Sequence, residues 1–307
     1  MRIPQEQEDD IDQVWDRAIA AGHISGSGVP YPRGRPPGQP TITGVTALYD
    51  IGRDRFHHTR TIDRYVSWLN ATLRAPLPFV VFLDPKIDAS RINLKPIDRS
   101  LAIGIDDFGM FARRKQVEEV LKQRQRTKCD EDITFLHPPY SMLMMSKLEI
   151  MARTARMTAT DGLFWIDAGL SRFFSQELQF TEISASFLEA IGNASFAAAI
   201  TPLLASDLRR GSPSWHYPGT AARLVTGGDF YVRADQAQAL SVRLLALIDG
   251  WLAQGLWDNE QVALGCMLLE GIDNAKILSV TEEYAVAFER LLSFPTRGMP
   301  DPVRWFD

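Results

Sequence analysis

One short apolar run constrains the fold of this chain more than any other segment. Residues 162–166, Gly-Leu-Phe-Trp-Ile, are typical of a strand buried on both faces, and Asp167 follows where that strand should end. Gly169 comes two residues later and would let a ligand approach the backbone closely. In an open α/β sheet, ligands bind outside the carboxyl ends of the strands. The run therefore predicts a strand-end site in which Asp167 holds a divalent cation. The alternative is a loop aspartate that caps the next helix.

A strand, a helix and a second strand follow one another from residue 41 onward. Residues 41–49 are rich in β-branched side chains, residues 61–73 place apolar side chains at helical spacing, and residues 78–83 form a continuous apolar run. Short links join the three, as in a βαβ unit with parallel strands. We therefore predict one α/β domain over residues 41–307, with a mixed, mostly parallel sheet flanked by helices.

The remaining segments predict further elements of the same domain. We expect helices over residues 111–125, 140–156, 234–253, 259–269 and 282–292. We expect strands over residues 194–200, 276–280 and 222–232, the last broken at Gly227–Gly228.

Residues 1–40 differ from the rest in composition. Residues 25–40 hold four glycines and five prolines, and such a segment can neither propagate a helix nor fill a central strand. We expect an N-terminal extension here, which either wraps on the domain surface or serves as a contact in a homo-oligomer.

Composition argues against several classes of protein. The net charge is -5 and no basic tract alternates with aromatic residues, which argues against a nucleic-acid partner. Cys129 and Cys266 lie far apart and form no zinc or redox motif. No apolar stretch approaches the roughly 20 residues of a transmembrane segment, and the N-terminus lacks a signal-peptide pattern. We therefore expect a cytoplasmic protein.

Common catalytic motifs are absent from the sequence, but polar residues recur at predicted strand ends. There is no GxxxxGK[ST], no GxGxxG after the first strand, no GxSxG and no HExxH. If the strands are parallel, their ends converge on one crevice, where carboxylates and basic side chains would suit a metal-bridged diphosphate. Each residue alone is equally well explained as a turn residue or a cap. These residues are Asp50, Arg53, Asp84, Lys86, Asp167, Gly227, Gly228 and Asp229.

Several strings of this sequence resemble the HtrL/YibB family. They are residues 45–53, 65–69 and 78–84, then His137-Pro138-Pro139-Tyr140-Ser141 with Lys147, and residues 164–169, in the family's order. The match covers about residues 41–170 and continues more loosely through residues 226–230 and 258–261. The family is similar to glycosyltransferases of the GT-A type. The resemblance therefore implies a GT-A-like domain that transfers a sugar from a nucleotide-sugar donor to a hydroxyl acceptor.

The resemblance also implies which residues form the donor site. Tyr49, Asp50 and Arg53 would lie near the base, ribose or phosphates, and Gly227 and Gly228 would border the donor sugar or the acceptor. The other donor-site candidates are Asp84, Lys147 and Trp165. Lys147 is alternatively a surface lysine that extends its charge to solvent, and Trp165 is alternatively a core residue.

GT-A enzymes usually bind Mn²⁺ or Mg²⁺ through an Asp-x-Asp motif, whereas this chain has only Asp167 at the matching place. A second metal ligand would have to come from elsewhere, and His216, Asp229 and Asp258 are the candidates. Alternatively, the phosphates rely on Arg53 and Lys147.

Inverting transfer also needs a base for the acceptor proton. Glu260 and Asp229 are the candidates, although Glu260 is equally explained as an acid that favours the start of its helix. Two other functions stay open. A sugar-nucleotide nucleotidyltransferase shares the sheet type but normally has a Gly-rich loop after the first strand. A non-catalytic sugar-nucleotide-binding protein would explain the incomplete Asp-x-Asp pattern.

Overall fold

One mixed β-sheet organises this computed structural model, which describes residues 24–25, 41–123, 132–174 and 183–292. Its strand order is β1-β4-β3-β2-β5-β7-β6-β8, and four of the seven strand pairs are parallel. The fold is therefore α/β with a mixed, mostly parallel sheet. The strands are β1 (Ile24–Ser25), β2 (Ile42–Leu48), β3 (Phe79–Leu83), β4 (Arg99–Ala102), β5 (Gly162–Ile166), β6 (Phe196–Ile200), β7 (Val225–Arg233) and β8 (Ala275–Val280).

Helices cover both faces of this sheet. One face packs against α2, α4, α5, α7, α8 and α9, and the other against α1, α6 and α10. None of the described helices is long and apolar enough to cross a membrane. The helices are α1 (Ile62–Thr72), α2 (Arg114–Gln123), α3 (Ile133–Leu136), α4 (Pro138–Met145), α5 (Lys147–Met157), α6 (Ala185–Ile191), α7 (Pro202–Arg210), α8 (Ala237–Ala253), α9 (Glu260–Leu269) and α10 (Val286–Leu291).

The central strands are apolar throughout because both of their faces are buried. In β3, Val80 and Phe82 enter one hydrophobic cluster, whereas Phe79, Val81 and Leu83 enter the cluster on the opposite face. This alternation is the period of two that a strand requires. The predictions of buried strands over residues 78–83 and 162–166 are thus confirmed.

The prediction of one continuous helix over residues 140–156 was wrong, because two helices cover this range. α4 ends at Met145 and α5 begins at Lys147, with Ser146 between them. The hydroxyl of Ser146 donates to the Met142 carbonyl at 2.9 Å, the local bond by which serine competes with a continuous helix. As a result, Lys147 is the first residue of a new helix.

The predicted break of a strand at Gly227–Gly228 was also wrong, because β7 runs unbroken through both residues. Gly227 has a φ of 39°, and a Cβ built on it would lie 2.7 Å from Gln261 and 2.9 Å from Glu260. The glycine is needed because the start of α9 packs directly on β7. The sequence pattern did not predict β4, α6 or α7, which are short.

The predicted N-terminal extension is described only at Ile24–Ser25, which pairs antiparallel with β4. The rest of residues 1–40 lies outside the described residues. The first helix and the late strand agree with prediction at Ile62–Thr72 and Ala275–Val280.

Two helix glycines form a matched pair that tests the packing of α9. A Cβ added at Gly250 in α8 meets no atom within 4 Å, whereas one at Gly265 would lie 2.4 Å from the Cβ of Leu224. We expect Gly250→Ala to raise the free energy of unfolding by about 0.5–1 kcal/mol, because alanine favours a helix. We expect Gly265→Ala to lower it by about 1–3 kcal/mol through overpacking. Urea unfolding followed by circular dichroism measures both, and a stabilising Gly265→Ala would contradict this packing.

Candidate functional site

A pocket of about 630 Å³ lies at the carboxyl ends of β2, β3 and β5. These three strands are parallel to one another, so their ends reach the same edge of the sheet. The expectation that the strand ends converge holds for these three strands. It was wrong for Gly227, Gly228 and Asp229, which do not line the pocket and lie on β7, antiparallel to β5. The polar residues that follow them and line the pocket are Asp50, Arg53, Asp84, Lys86 and Asp167. The first turn of α1 and residues 139–144 of α4 close the pocket on its other sides.

The pocket is rich in unpaired positive charge. Six basic and four acidic side chains line it, in a chain whose net charge is -5. Arg114 pairs with Asp106 at 3.3 Å. The other five basic side chains make no salt bridge within the part of the chain that the structure describes. Such a concentration of one sign of charge in a cleft attracts anions. The five are Arg53, Arg55, Arg60, Lys86 and Arg172.

Aromatic rings hold two of these arginines in place. The guanidinium carbon of Arg53 lies 4.4 Å from the centre of the Tyr140 ring, and its buried Nε has no hydrogen-bond partner among the described residues. The guanidinium carbon of Arg172 lies 4.3 Å from the centre of the Phe173 ring. Desolvation, followed by the charge of Arg60, lowers the pKa of Arg172. The two arginines are therefore held in place without a salt bridge to any carboxylate among the described residues.

Asp167 is the most constrained of the pocket carboxylates. Its Oδ1 accepts hydrogen bonds from Trp165 Nε1 at 2.8 Å and from Lys147 Nζ at 2.9 Å. Its Oδ2 has no hydrogen-bond partner among the described residues, and its side chain is 33% exposed. One oxygen is thus fixed by the protein while the other remains available to a ligand.

Lys147 lies behind Asp167 rather than in the pocket. Its ammonium donates to Asp167, to Glu260 Oε1 at 2.9 Å and to the Gly227 carbonyl at 2.8 Å, and the residue is only 1% exposed. Burial lowers the pKa of Lys147, but the charges of Asp167 and Glu260 outweigh it and hold the pKa above its usual value. We expected Lys147 to contact phosphate. Instead, all three of its N–H groups are used inside the protein.

The chain brings Lys147, Asp167 and Glu260 together from three separate element ends. Lys147 and Glu260 are the first residues of α5 and α9, and Asp167 follows β5. A cation at a helix N-terminus is unfavourable, whereas an acid there is favourable. The carboxylates of Asp167 and Glu260 offset this unfavourable position of the Lys147 ammonium. Glu260 serves this ion pair and does not line the pocket.

Other predicted donor-site residues have mainly packing roles. Tyr49 lines the pocket, but its ring is buried and its hydroxyl donates to the Ile103 carbonyl at 3.0 Å. Burial raises the pKa of that phenol. Trp165 is 2% exposed and presents only its edge to Asp167. The carbonyl of Gly228 accepts from the Asp167 amide at 2.8 Å, which fixes the backbone at the end of β5.

Two acids that we considered as metal ligands are engaged elsewhere. Asp229, also a candidate base, is fully buried on the sheet face opposite Trp165, and its Oδ2 accepts from the Phe288 amide at 2.8 Å. Burial raises the pKa of Asp229 to about 7. Asp258 accepts from the Gly219 amide at 2.7 Å and the Ala221 amide at 3.0 Å. Burial raises the pKa of Asp258 to about 6. Neither residue lines the pocket.

His216 is not brought to Asp167 either. It is exposed and stacks on Trp215, next to Ser214, whose hydroxyl contacts Glu270 at 2.8 Å beyond the end of α9. Glu260 lies at the opposite end of α9 from Glu270. Ten residues at a rise of 1.5 Å each place the two about 15 Å apart along the helix. Within the described ranges, no group of three or more His, Cys, Asp or Glu residues could hold a metal ion. The residues present therefore do not fit the metal site expected from Asp167 and His216.

Sequence reasoning missed Arg55, Arg60 and Arg172, although all three line the pocket. Arg172 follows Asp167 by five residues, so the loop after β5 was the available signal. Arg60 immediately precedes Thr61, the residue whose side chain caps α1. The available signal for Arg60 was its position beside the cap of a helix that begins shortly after a strand end.

Comparison with known proteins does not assign this chain to a family. No protein-family model matches the chain, and no curated protein matches it.

Replacing the buried ammonium should destabilise the fold strongly. Lys147→Met leaves Glu260, whose side chain is 5% exposed, beside Asp167 without a cation. We expect the free energy of unfolding to fall by about 3–5 kcal/mol, as for other broken buried ion pairs. Urea denaturation measures this loss, with Lys86→Met, at an exposed lysine, as the control. Equal stability of the two variants would show that the Lys147 ion pairs contribute little.

Asp229 should make stability fall with rising pH. Because its folded-state pKa is about 7, above the roughly 3.9 of an unfolded aspartate, its protonated form is favoured in the folded protein. This contribution is complete below about pH 4 and is lost as the pH rises to about 7. We expect Asp229→Asn to show a smaller decrease in the free energy of unfolding between these pH values. Exposed Glu283→Gln is the control, and parallel pH profiles of wild type and Asp229→Asn would refute the assignment.

Proposed function

We propose that this protein is a glycosyltransferase that binds a nucleoside-diphosphate sugar in the strand-end pocket and transfers the sugar to a hydroxyl acceptor. The observation that carries the proposal is the pocket itself, where five basic side chains without salt bridges surround Asp167. The position at the carboxyl ends of parallel strands is the usual ligand site of open α/β sheets. The resemblance of residues 41–170 to the HtrL/YibB family supports the same function.

The charge of the pocket supports a diphosphate as the ligand group. Guanidinium groups offer paired N–H donors that match phosphate oxygens and retain their charge at any ordinary pH. Arg53, Arg60 and Arg172 would contact the diphosphate, and Asp167 Oδ2 would be directed at the sugar and the acceptor. The same arginines would stabilise the negative charge that develops on the leaving diphosphate.

The reaction exchanges one bond of the anomeric carbon for another. The acceptor oxygen bonds to the anomeric carbon, and the bond from that carbon to the phosphate oxygen breaks. The nucleoside diphosphate leaves with the electron pair of that bond. We assign the acceptor proton to Asp167 Oδ2, because Glu260 and Asp229 are outside the pocket and have other partners.

The Asp167→Asn variant tests this role. The asparagine Oδ1 can still accept from Lys147 and Trp165, while an amide replaces the free oxygen, so the geometry is kept and the proton acceptor is lost. We expect nucleoside-diphosphate release from a panel of UDP, GDP and dTDP sugars with simple alcohol acceptors to fall by about 10²-fold or more. Binding of the donor should change little.

The control is Asp273→Asn, which makes the same substitution at an exposed residue outside the pocket. This variant should retain full turnover. Undiminished turnover by Asp167→Asn would remove Asp167 from the mechanism. If the wild-type protein binds none of the donors in titration calorimetry, the proposed function is wrong.

One observation favours a second candidate, a non-catalytic protein that binds nucleotide sugars. Both acids first considered as the base, Glu260 and Asp229, are outside the pocket. Donor binding without any release of nucleoside diphosphate, over the whole acceptor panel, would select this alternative.

A further inference from the structure

We infer that the pocket binds a diphosphate group without a divalent cation, through the guanidinium groups of Arg60 and Arg172, while the ammonium of Lys147 serves as the permanent counterion of Asp167. This inference rests on the proposed function only in that the diphosphate belongs to a nucleotide sugar. The binding itself can be measured with inorganic pyrophosphate.

Oδ1 of Asp167 already has a cationic partner within the protein. Its Oδ1 is bound by Lys147 at 2.9 Å and by Trp165 at 2.8 Å. A divalent cation on Oδ2 would lie close to a buried ammonium that cannot move away, because its other two N–H groups are bound to Glu260 and Gly227. Like charges repel at short range, which weakens the binding of a divalent cation at Oδ2. The carboxylate best placed to hold a metal is thus the one least suited to it.

Arg172 is held at the pocket by aromatic rings and by a close glycine. Its guanidinium lies over the rings of Phe173 and Trp68, 4.3 and 5.3 Å from their centres. A Cβ built on Gly169 would lie 2.4 Å from Arg172 Nη1 and 2.9 Å from the ring of Tyr65. Only glycine leaves room for the guanidinium at this position, two residues after Asp167. The loop after β5 therefore presents a carboxylate and a guanidinium side by side at the pocket.

Arg60 supplies a second guanidinium to this pocket. It lines the same pocket, its charge acts on Arg172, and neither guanidinium has a carboxylate partner among the described residues. Two guanidinium groups near one another repel, and an anion that binds between them removes this cost. A diphosphate has two charged groups, as this pair of cations requires.

Titration calorimetry with inorganic pyrophosphate, in excess EDTA, tests the inference. We expect the wild-type protein to bind under these conditions. We expect Arg60→Gln and Arg172→Gln each to weaken binding about tenfold or more, which corresponds to ~1.4 kcal/mol. Arg172→Lys keeps the charge but loses the planar fork, so it should bind with intermediate affinity. Arg74→Gln, at an exposed arginine outside the pocket, is the control and should bind as the wild type does.

A second readout separates a binding role from a structural one. In the absence of ligand, Arg60→Gln should leave the thermal midpoint unchanged or raise it, because it removes the repulsion with Arg172. Pyrophosphate should raise the midpoint of the wild type and of Arg74→Gln more than that of Arg60→Gln or Arg172→Gln.

The outcomes distinguish this inference from the proposed function. Binding of pyrophosphate only after Mn²⁺ or Mg²⁺ is added would overturn the inference, as would wild-type affinity in both glutamine variants. Binding in EDTA without turnover of any nucleotide sugar would leave the inference standing and remove the glycosyltransferase. Sugar transfer that requires Mn²⁺ would overturn the inference and leave the glycosyltransferase standing.

Discussion

The buried ammonium of Lys147 is the interaction on which the site depends. It joins α5, the end of β5, the start of α9 and the backbone of β7, through one donor each to Asp167, Glu260 and Gly227. Removing any of these acceptors leaves a charge in a place that water does not reach, and unpaired buried charges are costly. The orientation of Asp167 is therefore set by the core behind the pocket as well as by the loop that carries it.

The pocket reverses the charge balance of the whole chain. The protein is acidic overall, yet the carboxyl ends of its parallel strands carry five cations without salt bridges. Three of the four acids in the pocket have other partners: Asp50 accepts from the Gly52 amide, Asp84 accepts from the Lys86 amide, and Asp167 pairs with Lys147. This separation leaves the guanidinium groups for a ligand.

The sequence allowed the central strands and their polar ends to be predicted, because both properties are local. β3 and β5 are continuous apolar runs, and a parallel arrangement then brings Asp50, Asp84 and Asp167 to one edge. The position of Lys147 was not predictable, since it depends on the helix break at Ser146 and on two partners 80 and 113 residues away in sequence. Gly227 was misread because a glycine that admits a packed helix looks, in sequence, the same as one that ends a strand.

The contact between Lys147 and the later part of the chain limits how the protein can be divided. Residues 41–170 contain the βαβ unit and most of the pocket, yet within that fragment the ammonium would keep Asp167 as its acceptor and lose both Glu260 and Gly227. β5 would also lose its antiparallel neighbour and expose a long apolar edge. A fragment limited to the first half would therefore need another partner for its lysine.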